Sequence, residues 1–151
     1  MAVLGSAFDL PLGRLLALDL GKARHGVAVC DETSTLATPL AVVRRHDTRA
    51  ADFAELQSLV NRERAVGVLI GLPVQQSGQA DGQARWVLRY GRRLAGMLSA
   101  PVAFWDESLS SHDAAVLVRS RGRDPLDAVA AALILQDFLE ARRVRPNSGD
   151  T

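Results

Sequence analysis

The chain has 151 residues, 48% of them hydrophobic and 23% charged, which suits one globular domain with a real core and excludes a wholly disordered chain. Its formal net charge of +1 excludes a molecule that binds polyanions through bulk charge alone. The one cysteine, Cys30, excludes an internal disulfide, and no stretch reaches the roughly 20 apolar residues that a membrane span needs. The apolar opening from Met1 to Leu12 has no positive leading region and is interrupted by Asp9, so it reads poorly as a signal peptide. A cytoplasmic protein with no membrane association is expected.

Leu15 to Leu20 is a short apolar run closed by Gly21 and predicts a buried strand. Gly26 to Cys30 predicts a second strand, joined to the first by a tight turn as a hairpin, and Leu36 to Val43 a third. Asp47 is placed to cap a helix through about Arg62, with Phe53, Leu56, Leu59 and Val60 on its inner face. Val66 to Ile70 lacks alternation and predicts a strand buried on both faces, ended by Gly71-Leu72-Pro73. A helix from Gly82 to Leu98 follows, with Val87, Tyr90, Leu94, Met97 and Leu98 inward. Val102 to Trp105 predicts a fifth strand and Ser111 to Arg119 a short helix. Asp124 and Pro125 suit the N-cap and first position of a last helix to about Ala141. The expected organisation is a single domain over 1–141 with a flexible tail over 142–151. Three strands followed by alternating helices and strands imply an α/β protein with a five-stranded mixed sheet flanked by helices.

Four acids stand at element ends. Asp19 closes an apolar strand, where a carboxylate is costly unless it is paired or binds a cation; it also suits a turn that caps nearby amides. Asp106 and Glu107 follow the fifth strand directly, although acids there also suit a helix start. Asp127 lies in the first turn of the last helix, which the helix dipole favours in any case. Singly none is specific. Brought to one end of a sheet, such carboxylates would collect hard divalent cations, Mg²⁺ or Mn²⁺, through oxygen ligands. Two such metals serve phosphodiester hydrolysis. Adjacent residues leaving a strand point to opposite faces, so Asp106 and Glu107 are expected to differ in role. The strand-end position of Asp106, like that of Asp19, favours it as the ligand.

Four segments together resemble one family. Asp19-Leu-Gly-Lys-Ala-Arg24-His-Gly26-Val-Ala28 resembles the D-x-G-x-x-R-x-G-V-A opening of the YqgF/RuvX family, known as Holliday-junction resolvases and as pre-16S rRNA nucleases. Gly71-Leu72-Pro73 resembles its G-L-P loop, and Asp106-Glu107-Ser108-Leu109-Ser110-Ser111 its D-E-R-L-[ST]-[ST] segment. Asp127-Ala-Val-Ala130-Ala131 through Leu135-Gln136 resembles its last helix. The resemblance implies a ribonuclease-H-like fold and carboxylates at Asp19, Asp106 or Glu107, and Asp127. It also implies a metal-dependent nuclease acting in 5′-end maturation of pre-16S rRNA, or on branched or single-stranded DNA in recombination and repair. Three departures stand out: Ala23 where the family often has lysine, Ser108 where it has arginine, and Asp124-Pro125 within its basic stretch.

Of 18 basic residues only Lys22 is lysine, the rest being arginine. Arginine suits bidentate phosphate contacts, but a GC-rich genome explains the excess more simply, so placement matters more than number. Arg24 lies in the first motif. Arg85, Arg89, Arg92 and Arg93 share one face of the helix from Gly82, the usual arrangement of a solvated face and also that of a phosphate track. Arg119, Arg121 and Arg123 form a basic Arg-Ser-Arg-Gly-Arg linker just before Asp127, where a nucleic-acid backbone would pass. Trp86 and Trp105 read first as partly buried and only second as stacking platforms. A sugar-kinase or actin-like ATPase needs two domains of this kind and is excluded by length. A non-catalytic nucleic-acid-binding module or ribosome-assembly factor remains open, as do monomer and homodimer.

Overall fold

The computed structural model describes residues 3–73, 82–106 and 124–145, with the backbone alone for 124–126. Strands β1 (Leu15–Asp19), β2 (Arg24–Cys30) and β3 (Ala37–Arg44) form an antiparallel meander. Helix α1 (Arg49–Glu63) leads to β4 (Gly67–Leu72), helix α2 (Gly82–Met97) to β5 (Val102–Asp106), and helix α3 (Asp124–Val144) closes the described chain. The sheet order is β3-β2-β1-β4-β5, with β4 parallel to both β1 and β5. This is the expected five-stranded mixed sheet. β1 lies at its centre, which is why Leu15 to Leu18 are all fully buried and the run lacks alternation.

Alternation along the strands sorts the core into two layers. Leu16 and Leu18, Val27 and Val29, and Val68 and Ile70 face α1 and α2. Leu15 and Ala17, Ala28 and Cys30, Leu69 and Ala103 face α3, whose Ala131, Ile134, Leu135 and Phe138 cover them. No helix among the described residues is long and apolar enough to cross a membrane.

Several boundaries differ from those read in the sequence, each for a tertiary reason. β2 starts at Arg24, two residues before Gly26, because β3 extends pairing there through Arg24 opposite Arg44. The cap of α1 is Thr48, whose hydroxyl accepts from the Ala51 amide at 3.2 Å, in place of Asp47. Met97 is 67% exposed because α2 ends there, past the edge of the layer it covers. The opening segment is built into the fold: the Leu4 amide donates to the Val102 carbonyl at 2.8 Å, and Phe8 packs edge-on to Trp105. That segment shields the outer edge of β5, an edge that would otherwise offer unpaired backbone groups. The helix expected over Ser111 to Arg119 lies outside the described residues.

Candidate active site

Asp19 is the last residue of β1 and stands opposite Gly26 of β2. By alternation it points to the α3 face, together with Leu15 and Ala17. Gly21 shapes the turn that follows, since a Cβ there would lie 2.4 Å from the Arg24 carbonyl oxygen. The turn folds back tightly enough for β2 to begin at Arg24.

Gly26 explains how the last helix reaches this corner. A Cβ on Gly26 would stand 1.9 Å from the carbonyl oxygen of Asp127, so the first turns of α3 rest directly on the backbone of β2. Small residues continue the interface, with Ala28 on the strand and Ala128 and Ala131 on the helix all buried. This close approach delivers Asp127, only 8% exposed, to the end of β1. There Arg24 donates from Nε to Asp127 Oδ2 at 2.5 Å, a charge-assisted bond across 103 residues of sequence. Asp19, Gly21, Lys22, Arg24, Gln83 and Asp127 line one cleft of about 210 Å³. The structure thus brings together three residues singled out in the sequence: Asp19, Asp127 and Arg24.

Asp106 takes a different position. It is exposed, pairs in register with Leu72, and shares the parity of Val102 and Phe104, which pack on the α1/α2 face. Two strand spacings, about 10 Å, separate β5 from β1 across β4. Asp106 lines a separate cleft with Ser6, Phe8 and Trp105. Glu107, Arg119, Arg121 and Arg123 lie outside the described residues, and among the described residues no group of three potential metal ligands is assembled. Arg85 and Arg89 are exposed on α2, in a shallow groove with Arg92 and Arg93. Trp105 is half-buried and donates to Asp137 at 3.0 Å, while Trp86 stacks on Tyr90 and carries the Arg45 guanidinium over its ring. Both tryptophans serve packing.

Behind the turn lies a polar chain that the motifs do not announce. His25 is fully buried on the α1/α2 face. Its Nδ1 accepts the Gly21 amide at 3.1 Å, and its Nε2 lies 3.0 Å from the Tyr90 hydroxyl. Tyr90 in turn donates to Asp52 Oδ2 at 3.3 Å. Asp52 also accepts Arg45 Nε at 2.9 Å and the His46 amide at 2.5 Å. Burial lowers the His25 pKa to about 4, against a smaller upward pull from the Asp52 charge. Burial, reinforced by Asp52, pushes the Tyr90 hydroxyl up. Burial also works to raise Asp52, but the His46 amide and Arg45 outweigh it and hold the carboxyl below its usual range. The ring is therefore neutral, and because Nδ1 accepts, Nε2 carries the proton. A signal for this chain exists in the sequence: Asp52, Tyr90 and His25 are polar residues at inward positions of otherwise apolar elements.

The sheet order, with acids from β1 and the last helix meeting at one end, defines a ribonuclease-H-like domain. RuvC of Thermus thermophilus bound to a Holliday junction superposes with a TM-score of 0.55 at 17% identity, over 87% of this chain and 96% of that one. A second Thermus thermophilus RuvC structure gives 0.54 at the same identity, over 86% and 96%. At that identity the likeness speaks for the fold. The chain belongs to the RuvX family, described as Holliday junction resolvase, which matches residues 13–141. Proteins named "Putative pre-16S rRNA nuclease" are similar throughout: one from Chloroflexus aurantiacus is 39% identical, over 88% of this chain and 90% of its own. Another from Anaeromyxobacter is 40% identical over 85% and 98%.

Proposed function

We propose that this chain is a nuclease that hydrolyses phosphodiester bonds with a divalent cation, Mg²⁺ or Mn²⁺, and that it matures the 5′ end of pre-16S rRNA. The observation that carries the reading is the meeting of Asp19 and Asp127 in one cleft at the carboxyl end of β1. Membership of the RuvX family and the names of its relatives supply the reaction class and the RNA substrate.

The donor set suits a hard cation. The cleft offers carboxylate oxygens, while among the described residues the histidine nearest in sequence, His25, is buried on the other face of the sheet. Oxygen ligands without His or Cys favour Mg²⁺ or Mn²⁺ over Zn²⁺. Asp19 and Asp127 would hold the ion, which when bound supplies an activated water and stabilises the leaving oxygen. For the third carboxylate we favour Glu107 over Asp106, because Asp106 shares the parity of Val102 and Phe104 on the α1/α2 face, away from Asp19. This reverses the preference drawn from strand-end position alone. Arg24 orients the Asp127 carboxylate and compensates its charge.

Substrate is held by arginines. Gln83, in the first turn of α2, lines the cleft, and Arg85 and Arg89 follow on the same helix. They lie round the helix from Gln83, in a groove separate from the cleft, so a backbone would have to wrap α2 to reach them. Arg119, Arg121 and Arg123 are assigned to the same role by their nearness in sequence to Asp127. The family description favours a second substrate, the four-way DNA junction, which competes with pre-rRNA in the same cleft.

The test is cleavage of a pre-16S rRNA fragment, single strands and a four-way junction, with Mn²⁺ or Mg²⁺, beside Asp19→Asn and Asp127→Asn. The expected outcome is preferred cleavage of the rRNA precursor, lost on chelation and in both variants while each stays folded. Activity that survives chelation overturns the cation; preference for the junction selects the DNA substrate. Binding without turnover under every condition would mark an assembly factor.

A further inference from the structure

The turn from Leu20 to Ala23 must hold its shape for Asp19 and Arg24 to meet Asp127, yet it is short and partly exposed. Its Gly21 amide points inward and is taken up by His25 Nδ1 at 3.1 Å. His25 follows Arg24 in the chain but projects to the opposite face, so one strand carries a cleft residue and the support beneath it. The ring has only one arrangement that satisfies all its partners. With Nδ1 accepting from Gly21, the Nε2 proton goes to Tyr90, and the Tyr90 proton goes to Asp52. A flipped ring would place a C–H against the Gly21 amide and leave a buried donor without a partner. Asp52 is itself fixed by Arg45 and the His46 amide, so the chain is anchored on α1 and α2.

We propose that His25 is a positioning residue for the candidate active site: it clamps the Gly21 amide and, through Tyr90 and Asp52, ties the turn carrying Asp19 and Arg24 to helices α1 and α2. This rests on the nuclease reading for its kinetic consequence, but its structural core can be read without any activity. The clamp works in one direction only. The acceptor at the Nδ1 position holds the turn, and the remaining bonds hold the acceptor.

Two substitutions separate the halves of the imidazole. In His25→Asn the amide oxygen stands near the Nδ1 position and keeps an acceptor for Gly21. In His25→Gln the amide reaches the Nε2 position and the acceptor at Nδ1 is lost. Tyr90→Phe leaves Nδ1 in place but frees the ring to turn. Hydrogen exchange at the Gly21 amide is measured in each full-length variant, together with kcat and KM for the rRNA fragment well below the unfolding temperature. The expected order of Gly21 protection is wild type, then His25→Asn, then Tyr90→Phe, with His25→Gln exchanging at least about tenfold faster than wild type. Turnover should follow the same order, with kcat of His25→Gln down at least about tenfold and KM within about twofold, since misplacement of a reacting group acts on the chemical step. Equal Gly21 exchange in all four proteins overturns the clamp, whatever the activity. A fall in kcat that tracks melting temperature and not Gly21 protection also overturns it, leaving His25 a core residue only. If the wild-type protein cleaves nothing while the exchange order holds, the clamp stands and the nuclease reading falls.

Discussion

The two faces of the sheet reach the same end, a fixed site corner, by opposite means. On the α3 face the interface is built from what is missing: Gly26, Ala17 and Ala28 on the strands leave room for helix backbone to touch strand backbone. On the α1/α2 face the strands carry large aliphatic side chains, and the gap beneath the turn is bridged by a hydrogen-bonded chain from Gly21 to Arg45. Small residues position by close packing and admit no adjustment. A polar chain positions by direction, and it must satisfy every buried donor and acceptor or cost stability. Substitutions on the first face should therefore act as steric failures, and those on the second as graded, pH-sensitive ones.

The sharpest break is Gly26→Ala. A methyl group 1.9 Å from the Asp127 carbonyl oxygen cannot be accommodated by rotating a side chain, because the obstacle is backbone. The expected cost exceeds the usual overpacking range of about 1–3 kcal/mol, with nuclease activity lost even where the protein still folds. Urea unfolding and the cleavage assay check both; a cost under about 1 kcal/mol would mean that α3 does not rest on β2 as described. On the other face, Asp52→Ala strips the acceptor from Arg45, the His46 amide and Tyr90. Breaking a buried pair in this way costs about 3 kcal/mol, to be measured by chemical denaturation.

The pH dependence separates the faces next. His25 titrates near 4 in the folded protein and near 6.5 when unfolded, so between those values the unfolded chain binds the extra proton. Stability therefore rises with pH through this window, is complete above about 6.5, and falls as the solution is acidified toward 4. The full decrease is at most about 3.5 kcal/mol, from the linkage value of about 1.4 kcal/mol per pKa unit. Tyr90, Asp52 and Arg45 face the ring; Tyr90 stays neutral and Asp52 ionised across this range. Subtracting the stability–pH curve of His25→Asn isolates the contribution; parallel curves would show that the ring is not held neutral by burial. The smallest effect belongs to neither face. Replacing Arg85 and Arg89 by alanine should leave stability within about 0.5 kcal/mol, since both are exposed. It should also flatten the salt dependence of nucleic-acid binding by about one unit of slope for each phosphate left without its arginine. An unchanged slope would return them to ordinary solvated surface.

Much of the architecture follows from local pattern. Period-2 and period-3.6 spacing places the elements, the Asp19-x-Gly21 turn is readable as a turn, and the four motifs in order announce the family. Those signals are short-range, since alternation, capping and turn chemistry depend on near neighbours in the chain. Which residues meet across the fold is another matter. Arg24 finds Asp127 over 103 residues and His25 finds Tyr90 over 65, and no local rule selects those partners. Asp106 looks like Asp19 in the sequence because both close strands. Only the register of β4 with β5, which sets the parity of the edge strand against the centre, puts it on the opposite face. The reason is physical. A side chain's type is written locally, but the face it points to depends on strand register and on which helix covers which side, and these are settled by packing the whole core at once.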